Sequence, residues 1–276
     1  MSASSARRLF APVVSVFLAA AVVAPIFWIV LTSFKTFVQA QAIPPVWPSF
    51  SNVGNYVETF AGAQNALQPL EQSLFVATVT MAITTLIGIP AAYALARYKI
   101  PRKKDIQFYI LSTRFMPIIA GIVPLSALLS KAGLYGSTFG LIIVYVSINL
   151  SFSVWLLTIF FRNVPKEVEE AARIDGASRV ATLWLVTIPM ARASIIVVAL
   201  FTWIFAWNEL LDALVLTNGD SQTLPVFLAK FASNTLTQYQ QMAAVATMQS
   251  LPAVLLTFFA QKYIVTGLSM GALSAE

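Results

Sequence analysis

Apolar residues in this chain gather into long runs divided by shorter polar segments. A helix that crosses a bilayer needs about 20 mostly apolar residues. Six stretches meet that length, at approximately residues 9–31, 74–96, 106–129, 139–161, 193–216 and 242–264. The pattern predicts an all-α membrane protein with six transmembrane helices, forming one transmembrane domain over residues 1–276. Arg7 and Arg8 precede the first run, as they would in a signal peptide. That run is long for a signal segment and shows no clear small-residue cleavage site, so it is expected to stay as a span.

The basic residues are shared unevenly between the polar segments. Arg7, Arg8, Arg97, Lys99, Arg102, Lys103, Lys104, Arg162, Lys166, Arg173, Arg179, Arg192 and Lys262 fall on one side of a six-span chain, thirteen of the 17. The other side holds Lys35, Lys131 and Lys230, and Arg114 falls inside the third run. Loops rich in Lys and Arg stay in the cytoplasm. Both termini are therefore expected to be cytoplasmic, in agreement with an even number of spans. The first external loop, about 32–72, contains IPPVWP, which favours extended chain. Pro90, Pro117, Pro124 and Pro252 interrupt the runs, either as gating bends or as packing features.

Composition narrows the classes. Charged residues are 10% of the chain, against roughly 25% in a soluble domain. The net charge of +6 lies beside the apolar runs, which points to membrane topology rather than to nucleic acid. With no Cys and no His, the chain has no cysteine nucleophile, Cys/His zinc site, His-ligated haem or Ser-His-Asp triad. A G-x-x-x-x-G-K-S/T phosphate loop is absent too. The chain is expected to be no enzyme and to bind no cofactor or metal itself.

One polar stretch, 162–192, is unusual in so apolar a chain. Asn163 can cap a helix, with Pro165 in its first turn and Glu167, Glu169 and Glu170 at the positive end of the helix dipole. Val168, Ala171 and Ala172 make a narrow apolar face. Gly176 can end the helix in the left-handed conformation. Ser178 then starts a second helical run, which stops before Pro189. The pattern is helix, glycine turn, helix. A helix resting on the membrane surface usually has a basic polar face and bulky apolar residues. This one is acidic and alanine-rich, which suits close docking against another protein, although a surface linker also fits.

Glu170-Ala171-Ala172, then Gly176 after three residues, then Val186-Thr187-Ile188-Pro189 after nine more, resembles the EAA loop of ABC importer permeases. The family pattern ends Ile-x-Leu-Pro, so Val186 and Ile188 are conservative departures. Asn52–Phe60 (NVGNYVETF), Ala91–Pro101 (AAYALARYKIP), Phe205–Thr217 (FAWNELLDALVLT) and Gln261–Leu273 (QKYIVTGLSMGAL) resemble the maltose-type, carbohydrate-importing branch. That branch often carries a lysine near its end, where this chain reads SAE. The resemblance covers most of the chain. It implies the permease subunit of a binding-protein-dependent sugar importer in a bacterial or archaeal cytoplasmic membrane. It also implies that 162–192 is a cytoplasmic helix-turn-helix coupling loop. Glu170, Ala171 and Ala172 would then dock on an ATPase, with Asp175 and Gly176 shaping the turn. The implied partners are a second EAA-type permease, two ATPase subunits carrying ATP and Mg, and an extracytoplasmic binding protein. Within the class, a polyol, sugar phosphate or sulfonated sugar is an alternative cargo. An ATP-independent secondary transporter or channel is the alternative of another class; it would account for buried charges but not for the EAA loop.

A charge inside a membrane costs roughly 2.5–3.5 kcal/mol, so each should face protein or water. Glu209 and Asp212 lie near the outer end of the fifth run, and Arg114 lies about two turns into the third. Trp207, Asn208 and Glu209 combine an aromatic face with hydrogen-bonding groups, as sugar rings and hydroxyls require. These five residues are candidates to line a pathway. Asp212 also fits an interfacial helix end, and Arg114 a snorkelling or ion-paired side chain.

Overall fold

The computed structural model describes residues 3–48, 50, 52–62, 65–233 and 238–272. Leu273, the last residue of the C-terminal motif, lies outside them. The regular structure of the described residues is helical, with one isolated bridge between Gly136 and Thr217. A helix satisfies its backbone groups within one segment, which is what apolar runs require in lipid.

In chain order the helices are α1 (Ala3–Ser33), α2 (Phe37–Gln41), α3 (Gly54–Phe60), α4 (Leu67–Arg97), α5 (Lys103–Ser112), α6 (Ile118–Lys131) and α7 (Thr138–Arg162). There follow α8 (Lys166–Ile174), α9 (Arg179–Thr182), α10 (Ile188–Met190), α11 (Arg192–Asn208), α12 (Leu211–Leu216), α13 (Leu224–Ser233) and α14 (Tyr239–Ala272). A π-helical turn, Leu183–Thr187, joins α9 to α10.

Among the described residues, four helical segments are long and apolar enough to cross a membrane: Pro12–Ser33, Leu67–Arg97, Thr138–Arg162 and Tyr239–Lys262. The count reaches six if two bent pairs are each one span. The second of these pairs, Arg179–Met190 with Arg192–Asn208, bends by 82° just before the fifth predicted span. The third and fifth predicted spans are themselves interrupted. The third is no straight helix: Lys103–Phe115 and Ile119–Lys131 meet at 94°. Pro117 caps α6 at this break, and its ring restricts the preceding residue to extended chain. The fifth is broken as well. α11 ends at Asn208, and Glu209 is extended (φ −70, ψ 122) before α12 begins. Pro90, Pro124 and Pro252, by contrast, sit inside continuous helices.

The chain forms two compact units. The first comprises Met1–Gln68 and Phe227–Pro252. There Asn55 Nδ2 donates to the carbonyls of Ser33 (2.7 Å) and Lys35 (2.9 Å), closing the end of α1. Lys35 Nζ lies 4.1 Å from the Trp28 ring centre. The second unit comprises Pro69–Val226 and Ala253–Glu276. Its centre is α7, which packs on α5, α11 and α12. Small and hydroxylated residues hold it together. Ser153 and Thr202 hydrogen-bond at 2.9 Å between α7 and α11. Gly88 on α4 faces α7, where a Cβ would make ordinary contact, 3.5 Å from Leu157 Cδ1 and 3.8 Å from Ser153 Cβ. Packing at small residues is the usual means of helix association in lipid. Gly88→Ala is therefore expected to be tolerated. Gly88→Leu should force α4 from α7 and lower the thermal midpoint of the purified chain in detergent.

Candidate functional site

The 162–192 stretch folds as a helix, a tight turn and a second helical run. Asn163 is not the N-cap expected of it; it is the C-cap of α7, and Pro165 takes the N-cap position of α8. The reason is that α7 runs on to Arg162 and Pro165 cannot donate a backbone bond to it. α8 ends in a full Schellman motif. Ala177 N donates to Ala172 O (2.9 Å) and Gly176 N to Arg173 O (3.1 Å), with Gly176 left-handed at φ +92. Asp175 is the C-cap. Ser178 Oγ then accepts from Ala181 N (3.2 Å) and starts α9.

The two adjacent glutamates of α8 part company. Glu170 is exposed, but Glu169 is 6% exposed and faces inward. Arg97, the last residue of α4, holds it. Nε lies 2.9 Å from both carboxylate oxygens, and Nη2 lies 2.9 Å from Oε1. Nη2 also donates to Val164 O at 2.7 Å. Thr187 Oγ1 donates to Glu169 Oε1 at 2.9 Å. Tyr93 OH approaches Oε2 at 3.4 Å. Around this group lies an apolar core that includes Ile89, Leu157, Phe161, Val164 and Leu183.

The expected apolar face of α8 is turned the other way. Val168 (41% exposed) and Ala171 face outward and Ala172 is half-buried. Ile174 is 86% exposed. This helix buries an acid and exposes its apolar residues.

The second candidate region is a cavity of about 440 Å³ inside the second unit. Four of the five predicted pathway residues line it: Arg114, Asn208, Glu209 and Asp212. The two helix breaks bring them there. Arg114 sits in the 3-10 turn Thr113–Phe115, where the third predicted span bends. Its guanidinium lies 4.9 Å from the Phe205 ring centre, and Nη1 approaches Ile148 O at 3.5 Å. Glu209 Oε1 caps α12 by accepting from Asp212 N (3.1 Å). Trp207 must be corrected: it is buried, stacks on Trp203 at 4.9 Å and stands outside the cavity lining. One residue is about 100° of helix, which separates it from Asn208. Phe205 and Tyr145 supply the aromatic lining instead.

Tyr145 and Asn149 were not among the predicted residues. They lie one turn apart on α7, with Asn149 Nδ2 bonded to Tyr145 O (2.8 Å) and Tyr145 OH to Glu209 O (3.3 Å). A polar pair at i, i+4 within an apolar run is a signal the sequence does carry. Both residues line the cavity, as does Asp212. Asn149 Oδ1 and both Asp212 carboxylate oxygens are buried and find no donor among the described residues. Buried polar atoms are normally hydrogen-bonded, so these three acceptors stand out beside the cavity.

Residues 84–270 match the family described as "Binding-protein-dependent transport system inner membrane component", and the chain belongs to that family. It is 37% identical to a putative ABC transporter permease protein of Streptomyces antibioticus, covering 82% of this chain and 98% of that relative. It is 32% identical to the trehalose transport system permease protein SugB of Mycobacterium tuberculosis, over 90% of this chain and 91% of the relative. A chain from the crystal structure of a bacterial ABC transporter involved in the import of the acidic polysaccharide alginate matches with a TM-score of 0.73 at 26% identity. That match spans 95% of this chain and 98% of the other.

Gly176 offers a local test. A Cβ there would meet nothing within 4 Å, so substitution costs only the left-handed backbone, roughly 1–2 kcal/mol for most residues. Asn adopts that conformation more readily. Gly176→Val should therefore speed trypsin cleavage at Arg173 and Arg179, which flank the turn, while Gly176→Asn should cleave close to the wild-type rate.

Proposed function

We propose that this chain is half of the membrane pathway of a sugar importer, driven by ATPase subunits that dock on α8. The observation that carries this is the outward face of α8. Exposed Val168, Ala171 and Ile174 beside exposed Glu170 form an apolar patch with an acidic edge. Such a patch on a short polar loop marks a protein partner. A groove with a basic rim on an ATPase complements it. The family relationship and the spacing from Glu170 to Gly176 support the same partner. In this proposal the chain crosses the membrane six times, with the third span bent at Pro117 and the fifth made of α11 and α12, and with both termini and the α8–α9 loop cytoplasmic, as the basic residues favour. A second permease completes the pathway, and an extracytoplasmic binding protein delivers the solute.

The cavity favours an uncharged sugar. Its lining sets hydrogen-bonding side chains, Asn208, Glu209 and Arg114, beside the aromatic rings of Tyr145 and Phe205, a combination that suits sugar hydroxyls and ring faces. Glu209 and Asp212 outnumber Arg114, so an anionic solute would meet net repulsion. The named cargo of the trehalose permease fits this chemistry better than acidic alginate does. Asn208, Glu209, Asp212 and Arg114 are the proposed pathway residues, joined by Tyr145 and Asn149.

Two experiments test the proposal. Pull-down of the tagged chain, co-expressed with its partner subunits, should recover an ATPase, and Glu170→Lys should lose it. A wild-type chain that purifies without ATPase or second permease would overturn the importer. In proteoliposomes holding the whole importer, labelled neutral mono- and disaccharides should be taken up and uronate oligosaccharides should not. Asp212→Leu should reduce that uptake about tenfold or more, the scale set by leaving polar groups unpaired at a buried site, with the ATPase still bound. Uptake of uronates alone would overturn the uncharged-sugar assignment.

A further inference from the structure

We infer that Arg97 and Glu169 form an internal clasp that makes α8 move as one body with α4, so that displacement of the docked helix is delivered to a membrane span. This rests on the ATPase-docking role of α8 proposed above, but not on the identity of the solute.

The geometry is that of a joint. Glu169 lies in the first turn of α8, and Arg97 closes α4. Their side chains are each 8% exposed. The guanidinium contacts both carboxylate oxygens and the carbonyl of Val164, so it grips α8 and the link from α7 together. Thr187 brings in the far end of the loop, beyond the glycine turn. Arg179 stacks on Tyr98 at 5.0 Å, which ties α9 to the chain just past α4. The contacts of Glu169 lie on the inner side, away from Val168, Ala171 and Glu170. Docking and clasping thus use opposite faces of one helix.

Stability alone does not call for an ion pair here. Replacing a buried pair with apolar residues of similar size is often neutral or stabilising, whereas removing one partner strands a buried charge. What the pair adds is direction. The Arg–carboxylate contact is planar and multidentate, so it resists sliding and rotation as well as separation. Apolar side chains in the same place would hold α8 near α4 and let it slip.

The test exploits the absence of cysteine from the chain. Spin labels go on Lys166→Cys in α8 and Leu86→Cys in α4, both exposed positions, in the full importer with cysteine-free partner subunits. Electron–electron distance distributions are recorded without nucleotide and after trapping with ATP and vanadate. The clasp predicts the same mean distance and width in both states. In Glu169→Gln, trapping should shift or broaden the distribution. The charge swap Arg97→Glu with Glu169→Arg should regain the wild-type behaviour. Where a single variant fails to assemble, the apolar pair Arg97→Met with Glu169→Leu decides. It should assemble and still show the shift. A distance that changes on trapping in the wild type, or an apolar pair that behaves like the wild type, would overturn the clasp.

Discussion

A carboxylate taken out of water must find a cation and fill its remaining lone pairs. Glu169 meets that demand from three directions at once, through Arg97, Thr187 and Tyr93. The arrangement of the polar loop follows from it. α8 must lie with its first turn against the end of α4, and Gly176 must turn the chain sharply enough to return Thr187 to the same carboxylate. The π-helical turn at Leu183–Thr187 is part of that return, since its wider spacing falls where Thr187 reaches back. With the acid inside, the apolar residues of α8 are left outside.

The cavity obeys a related constraint. Non-helical backbone at membrane depth is tolerated where it is buried in protein or lines a polar space. The helix breaks at Thr113–Pro117 and at Glu209–Leu210 both border the cavity. Arg114 and Glu209 lie at the two breaks. The polar residues and the irregular backbone thus occur together for one reason. Ser153 and Thr202 stand between α7 and α11 as a satisfied pair. The acceptors of Asn149 and Asp212 stand at the cavity unsatisfied.

Much of this was legible in the sequence. Length and hydropathy located every long helix, and the spacing from Glu170 to Gly176 placed the glycine turn correctly. The mistakes share one cause. A count of apolar residues measures whether a segment can cross a membrane, but it carries no information about where its axis bends. The runs at 106–129 and 193–216 keep a high average hydropathy across their breaks, although Arg114 and Glu209 stand at the breaks themselves. Pro117 looked no different from Pro90 and Pro124, which sit in unbroken helices. Side-chain direction was lost in the same way. Neighbouring residues point about 100° apart, so Glu169 and Glu170 face different surroundings, and so do Trp207 and Asn208. Which of each pair faces inward depends on what α4 and α7 present, and that is long-range information. Asn149 and Tyr145 were missed although the sequence carries a signal for them, a polar pair one turn apart.

The outward patch on α8 has a consequence for the life of the chain in the cell. Val168 and Ile174 make a sticky surface for as long as nothing covers them. A copy made in excess of its companions carries that surface uncovered and offers it to chaperones and proteases. In the importer proposed above, the residues that dock the ATPase would thereby also report whether assembly is finished. The amount of this chain that survives should follow the supply of the subunit made in shortest measure, rather than its own rate of synthesis.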